Sequence, residues 1–424
     1  MSDLHRTIRV PGAIMMGLGS ILGTGLFVSL AIATQIAGNG IIIAIVIAGI
    51  LAAFNGLSSA QLAANFPVSG GTYEYGYRVL GSYWGFSAGW MFLLAKTASA
   101  ATAALGCAGY IFYLFGISSL PWLYVGSGLV ILLVITSLVS GGIHRSNVAN
   151  MAIVSLTLFG LLALVAGGTF REGFPVQPLV DSFPGFSGKS VLYASALMFV
   201  AYTGYGRIAT LGEEVVDPAR TIPRAIILSM VIIIIIYMAV ALTAIHVLGP
   251  QAFGNTVDGE AAPLMVVARA LAIPGLGTLI AVAAITAMLG VLLNLILGIS
   301  RVMFGMARRS DLPVFLSSVN PKTKSPAATV WATGGLIGIL ILTGDVALTW
   351  SFSAFTVLIY YAITNLAALL LPAEKKRYPA WIPAAGLAGC LFLAFWIDPA
   401  IWISGLILLI AGICWHYIAL RRSK

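Results

Sequence analysis

Twelve stretches of this chain are apolar for about twenty residues each, and no other feature constrains it as much. A helix needs about 20 mostly apolar residues to cross the hydrocarbon core of a bilayer. The runs lie near 10–36, 40–64, 84–114, 121–141, 147–168, 190–211, 225–248, 275–304, 327–344, 348–371, 380–397 and 399–420. Only 35 of the 424 residues are Asp, Glu, Lys or Arg, or 8%, against roughly 25% in soluble domains. The short loops leave no room for a soluble domain. The expected fold class is therefore an all-α polytopic membrane protein with twelve transmembrane helices, a single transport-sized unit over 1–424. The segment 1–9 is too short and too charged for a cleaved leader, so the first run is expected in the mature chain.

The formal net charge of +9 then reads as topology. With the N-terminus in the cytoplasm and twelve spans, 17 of the 22 basic residues fall inside, and Arg171, Lys189 and Arg269 fall outside. Lys96 and Arg207 fall within spans. This is the bias of the positive-inside rule, and it predicts a multi-pass protein of the cell membrane with both termini cytoplasmic. Basic charge so distributed argues for a lipid bilayer around the chain and against a nucleic-acid partner. The three cysteines (Cys107, Cys390, Cys414) and four histidines are scattered, which gives no disulfide framework, no metal site and no cofactor motif. The 13 acids fall in loops or at helix ends, leaving no carboxylate at mid-membrane.

Two spans are interrupted by glycine. The first reads Gly17-Leu-Gly19-Ser20-Ile21-Leu-Gly23-Thr24-Gly25-Leu-Phe27, and the sixth reads Phe199-Val200-Ala201-Tyr202-Thr203-Gly204-Tyr205-Gly206-Arg207. A lone glycine-rich span is explained by close helix packing. The pairing says more, because each break opens a block of five spans: about 10–168 and about 188–371, with 380–420 left for two extra helices. Gly-interrupted segments at matching positions of two halves point to inverted repeats with a site at their interface. Lipid cannot satisfy the backbone groups that unwinding frees, so they persist only where they line a cavity or meet a ligand. The N-terminal end of a half-helix favours a carboxylate and the C-terminal end an ammonium or a cation. Two such ends facing each other form a receptor for a zwitterion such as an α-amino acid.

These residues resemble those of the amino acid–polyamine–organocation permeases, which have the LeuT-type fold. The first-span motif is similar to that family's carboxylate loop. Leu62 to Tyr73 resembles its loop after span two, and Gly212-Glu213-Glu214 through Arg224-Ala225 is the strongest match. Ser300-Arg301 through Asp311-Leu-Pro313 is a fourth, in the family's order. The resemblance covers roughly 10–330. It implies a secondary active transporter of amino acids working by alternating access. It implies that Ser20, Ile21, Gly23, Thr24 and Gly25 meet the substrate carboxylate. Carbonyls around Phe199, Val200, Ala201 and Tyr202, with Gly204 beside them, are implied to meet the amine. Where family members often have an aromatic gate this chain has Val200, so Phe199, Tyr202 or Tyr205 is left to take that role. A family glutamate near the end of span two is Gln61 here.

Lys96 lies about 12 residues into span three, ~18 Å from the cytoplasmic end at 1.5 Å per residue. An ionisable residue inside a helix bundle is a functional candidate by default. Proton-coupled relatives can carry a lysine on span five, and the equivalent position here is Thr157. Lys96 is expected to supply the missing positive charge, with a proton as coupling partner; obligate exchange is the equal competitor. The middle of span eight, Met288 to Ile296, offers no Ser or Thr for sodium. Arg207 is read either structurally, pairing with Glu213 or Glu214 or snorkelling, or functionally, as an inner gate or a contact to an acidic substrate. With Lys96 and Arg207 in the membrane, neutral amino acids come first as substrate, acidic ones second, and an amine or polyamine antiporter last. A channel would show a filter or a polar pore stripe, and an enzyme would show clustered His, Asp, Glu or Cys. Neither is visible, and a non-transporting scaffold is the remaining rival. The sequence is silent on oligomeric state.

Overall fold

A computed structural model describes residues 8–66, 71–118, 120–142, 147–175, 187–209, 215–258, 261–319 and 326–422. Apart from one isolated bridge between Ile8 and Val215, the described residues form helices and their connections. Each of the twelve apolar runs becomes helical. Span one is built from Val10–Ile21, Thr24–Phe27 and Ser29–Ala37. Spans two to five are Ile41–Asn65, Ser82–Phe115, Pro121–Ser140 and Asn147–Glu172. Span six comprises Gly188–Tyr202, Thr203–Tyr205 and Gly206–Ala209. Spans seven to twelve are Pro218–Leu248, Leu276–Arg308, Ala327–Ile341, Val346–Leu369, Trp381–Ala394 and Pro399–Arg422.

Among the described residues, eight helices are long and apolar enough to cross a membrane. One of them, Thr24–Asn65, runs from the second half of span one through span two. The turn between the two is Gly38–Gly40, where Gly38 has φ 56°, a conformation that a Cβ would strain.

Burial ranks the spans. The most apolar stretch of span ten is 83% buried and that of span three 78%, while that of span twelve is only 17% buried. Spans three and ten are therefore the posts around which the rest is arranged. Small residues let them approach closely: Ala100, Ala101, Ala103 and Ala104 are fully buried, and a Cβ on Gly106 would meet Val28 at 2.8 Å. Hydroxyl pairs join the posts, Ser99 to Ser353 at 2.7 Å and Thr102 to Thr349 at 2.8 Å. Asn365 on span ten donates to Asn55 on span two at 2.6 Å. Polar groups away from water must be paired in this way, and the low dielectric strengthens each bond.

The outside is the reverse. Val130, Leu133, Phe159, Leu162, Ile235, Ile407 and Ile410 are exposed. Apolar patches of that extent mark a surface that meets lipid or a partner, and here they lie along membrane-length helices.

The connections gather at two ends. At one, Val216 donates to Ile8 O (2.9 Å), Asn65 to Lys375 O (2.9 Å), Arg377 to Ala219 O (2.6 Å) and Trp415 to Asp311 O (2.9 Å). This end holds Ile8 and Arg422, the first and last described residues, with Arg9, Arg78, Arg309, Lys375 and Arg377. At the other, Gln35 bonds Asp258 (3.0 Å), Arg269 bonds Tyr113 O (3.0 Å) and His246 bonds Glu172 O (3.0 Å). A further helix, Thr72–Val79, lies between spans two and three on the basic end. Glu213, Glu214, Pro67 to Gly70, Arg6, Arg145, Lys322, Lys324 and Lys424 lie outside the described residues, so the expected Arg207 pairing with Glu213 or Glu214 does too. Asp311 falls just past the end of span eight, as expected of the acids, yet it is only 3% exposed.

Candidate functional site

The two interrupted spans meet, and they are interrupted differently. In span one Leu22, with ψ 88°, ends the first helix, and the next starts at Thr24. Leu22 N–H still reaches Leu18 O, and the following backbone bonds are Leu26 and Phe27 to Gly23 O, both 3.0 Å. The amides of Gly23, Thr24 and Gly25 are left without a backbone acceptor among the described residues. The hydroxyl of Thr24 is buried beside them with no partner, whereas that of Ser20 is taken by Met16 O at 3.2 Å. Donors clustered at a helix start suit an anion.

Span six was expected to be unwound. It instead keeps its course through a tight 3-10 turn, Thr203–Tyr205, before resuming at Gly206. Carbonyls that this change of pitch releases are met by tyrosines from other spans. Tyr237 OH on span seven donates to Ala201 O at 2.9 Å and lies 3.3 Å from Ile21 O, so one hydroxyl reaches a carbonyl at each break. Tyr361 OH on span ten donates to Thr203 O at 3.3 Å. Glycine permits the contact between the breaks: a Cβ on Gly204 would stand 2.5 Å from Ser20 O, and one on Gly25 would stand 2.7 Å from Ala201 Cβ.

Around this contact lies a cavity of about 290 Å3 that runs to the basic end of the molecule. Nine of the sequence-predicted residues line it: Ser20, Ile21, Thr24, Gly25, Lys96, Val200, Ala201, Gly204 and Arg207. The other five do not. Gly23 faces Val291, with 2.5 Å left for a Cβ. Thr157 turns its hydroxyl back to Ile153 O at 2.8 Å. Tyr202 bonds Ile45 O at 3.2 Å. Phe199 and Tyr205 are fully buried against Tyr361, with ring centroids at 5.7 and 5.5 Å. None of the three aromatics offered as a gate on span six therefore borders the cavity.

The aromatic lining comes from elsewhere. Phe92 on span three and Trp350, Tyr360 and Tyr361 on span ten face the space, together with Ser99 and Asn294. Asn294 is the one carboxamide in the middle of span eight, a signal the sequence reading passed over. Lys96 is half-buried, its ammonium opening onto the cavity while donating to Thr203 Oγ1 at 3.1 Å; that hydroxyl in turn donates to Val200 O at 2.8 Å. The lysine is thus docked on the turn of span six. Arg207 and Arg301 add positive charge, and the acid on the lining, Glu74, is paired with Arg309 at 2.9 Å. Among the described residues no group of three or more His, Cys, Asp or Glu is placed to hold a metal ion.

The cavity thus combines backbone donors of span one, an aromatic wall and a positively charged rim. Comparison with known proteins agrees with that chemistry. A family model described as amino acid permease matches residues 12–423. An uncharacterized transporter of Mycobacterium tuberculosis is 39% identical, over 93% of this chain and 86% of the relative. The branched-chain amino acid permease BcaP of Bacillus subtilis is 27% identical, over 100% and 94%. The chloroplastic cationic amino acid transporter 7 of Arabidopsis thaliana is 26% identical, over 86% and 65%. Twelve helical spans, two breaks in contact and a match along nearly the whole length lead to one conclusion: the chain belongs to the amino acid permease family, multi-pass membrane proteins of LeuT-type fold.

Proposed function

We propose that the protein carries neutral α-amino acids across the cell membrane by alternating access, with both termini in the cytoplasm. The observation that carries this reading is the paired break. The free amides of Thr24 and Gly25 and the unpartnered Thr24 hydroxyl lie at a cavity of about 290 Å3, where span six touches span one at Ala201 and Gly204. That volume lies near the lower end of small-molecule pockets, which run from about 300 Å3, and suits one amino acid. On this reading spans one to five and six to ten are inverted repeats, and the cavity faces the cytoplasm because its mouth lies at the basic end. Lys96, Arg207 and Arg301 disfavour a cationic side chain. An apolar side chain meets Phe92, Trp350 and Tyr360, as the name of the branched-chain relative suggests.

Lys96 is the coupling residue in this proposal. Its bond to Thr203 ties span three to the turn of span six, so loss or gain of its proton alters how firmly that turn is held. The test is uptake of a radiolabelled neutral amino acid into liposomes containing the protein. Saturable flux stimulated by counter-flow is expected, with leucine, isoleucine and valine the strongest competitors and arginine and lysine the weakest. Lys96→Gln is expected to abolish the response to a pH gradient while exchange continues. Full pH-driven accumulation by that variant would sink the coupling role. Preference for glutamate or aspartate would replace the neutral substrate with an acidic one, the second reading that the positive lining favours.

A further inference from the structure

Away from the two breaks, the basic end of the molecule holds a second cluster of ionisable groups that substrate binding does not use. At its centre is Asp311, the one acid among the described residues that is buried. It follows span eight at a tight turn in which Ser310 has φ 64° and Asp311 N–H bonds back to Met306 O at 2.9 Å. Its Oδ2 accepts from Tyr73 OH at 2.8 Å and Tyr77 OH at 2.6 Å, both on the Thr72–Val79 helix. Its Oδ1 faces Nδ1 of His416 on span twelve at 3.1 Å, off the line of a good hydrogen bond. Its backbone carbonyl accepts from Trp415 Nε1 at 2.9 Å. His416 is 1% exposed, stacked on Phe86 with ring centroids 4.5 Å apart and edge-on to Tyr83 at 5.3 Å. Arg309 closes the cluster, 5.2 and 4.6 Å from the rings of Tyr73 and Tyr77 and bonded to Glu74 at 2.9 Å. Burial beside the Asp311 carboxylate holds both phenols well above their ordinary range, so they remain donors.

The placement of this cluster gives it a consequence. The mouth of the cavity is a seam. One lip is the Thr72–Val79 helix, which contributes Tyr73, Glu74 and Tyr75; the other is the end of span eight, with Val302 and Gly305. The helix is fixed at its start to span ten, by Thr72 Oγ1 to Thr364 Oγ1 at 2.8 Å. Among the described residues, the polar ties of its middle across the seam are those to Asp311 and Arg309. A polar network of this kind in a water-poor site is worth more than its separate bonds, and losing one member leaves the others buried and unpaired.

We propose that Asp311 and His416 are positioning residues that clamp the Thr72–Val79 helix to the end of span eight. Span twelve, which lies beyond the two five-span blocks, thereby limits how wide the mouth of the cavity opens. The inference extends the transport reading but rests on a contact that can be probed without substrate.

The experiment places a cysteine at the seam, Val302→Cys, in a protein whose exposed Cys414 has been changed to Ser. The rate of its reaction with a membrane-impermeant thiol reagent is measured from the basic end in proteoliposomes. A second reporter, Ser318→Cys, sits exposed at the same end but outside the mouth. Asp311→Asn, Tyr77→Phe and His416→Gln are each expected to speed labelling at 302 by fivefold or more and to leave labelling at 318 within twofold. Asp311→Asn is expected to act most strongly, since it touches both lips and span twelve. If Asp311→Asn does not assemble, Tyr77→Phe and His416→Gln decide. Unchanged or slower labelling at 302 in those two overturns the clamp, and so does an equal change at both reporters, which would signify general loosening. A protein that moves no amino acid but passes this test loses the transport reading and keeps the clamp.

Discussion

The two breaks differ more than their matching positions in sequence suggest. Span one parts at Leu22 and Gly23 and, among the described residues, leaves three amides without a backbone acceptor and the Thr24 hydroxyl without a partner. Span six barely parts. Its 3-10 turn is held from three sides, by Lys96 on span three, Tyr237 on span seven and Tyr361 on span ten. Unsatisfied donors await a ligand; satisfied carbonyls transmit position. In the proposed function the first break is therefore the receptor and the second the moving part held by its neighbours.

The largest test of this contrast is steric. Gly204→Val puts atoms where Ser20 O already lies, and Gly25→Val puts them into Ala201. Both breaks must then separate, and a misplacement of about 1 Å costs on the order of 100-fold in rate. Uptake in either variant should fall at least that far, with normal amounts of protein in the membrane; preserved uptake would mean that the breaks need not touch. The next test separates the two roles. Thr24→Val removes a donor to a charged ligand group, worth about 1.5–3 kcal/mol, so the apparent KM should rise about 10- to 100-fold. Thr203→Val should leave KM within about threefold yet weaken the pH response that depends on Lys96. Equal KM changes in the two would erase the distinction. A smaller effect belongs to stability. Tyr237→Phe leaves Ala201 O and Ile21 O short of a donor and should cost about 1–3 kcal/mol. Tyr361→Phe, which strands Thr203 O alone, should cost about 1 kcal/mol. Denaturant unfolding of both variants in one detergent would rank them, and the reverse order would place the main support of the breaks on span ten.

The sequence made the spans legible because the length of an apolar run is a local property, and the bilayer demands about 20 residues whatever the neighbours are. The breaks were legible for a related reason: glycine clusters stand out against leucine and isoleucine. What a neighbour decides was hidden. Phe199, Tyr202 and Tyr205 sit on the right span, yet Phe199 and Tyr205 pack against Tyr361 of span ten and Tyr202 bonds Ile45 O of span two, away from the cavity. Trp350, Tyr360 and Tyr361 read as ordinary apolar residues of span ten, since a helix buried on all sides carries no periodicity to show which face borders a cavity. Asp311 lies at a helix end, where the sequence places the acids, and nothing local marks it as buried. Its burial depends on Tyr73 and His416, some 240 and 100 positions distant, and no local pattern announces such a meeting.

Tyr237 reaches further than its place on span seven suggests. Because a single hydroxyl serves Ile21 O and Ala201 O, any displacement of one break relative to the other weakens a bond that the first break shares with the second. The arrangement is an interlock. In the proposed transport cycle, a half-step that moved one break alone would forfeit that shared bond, whereas a concerted swing of both would keep it. On that proposal, the Tyr237 hydroxyl would penalise slippage without cargo.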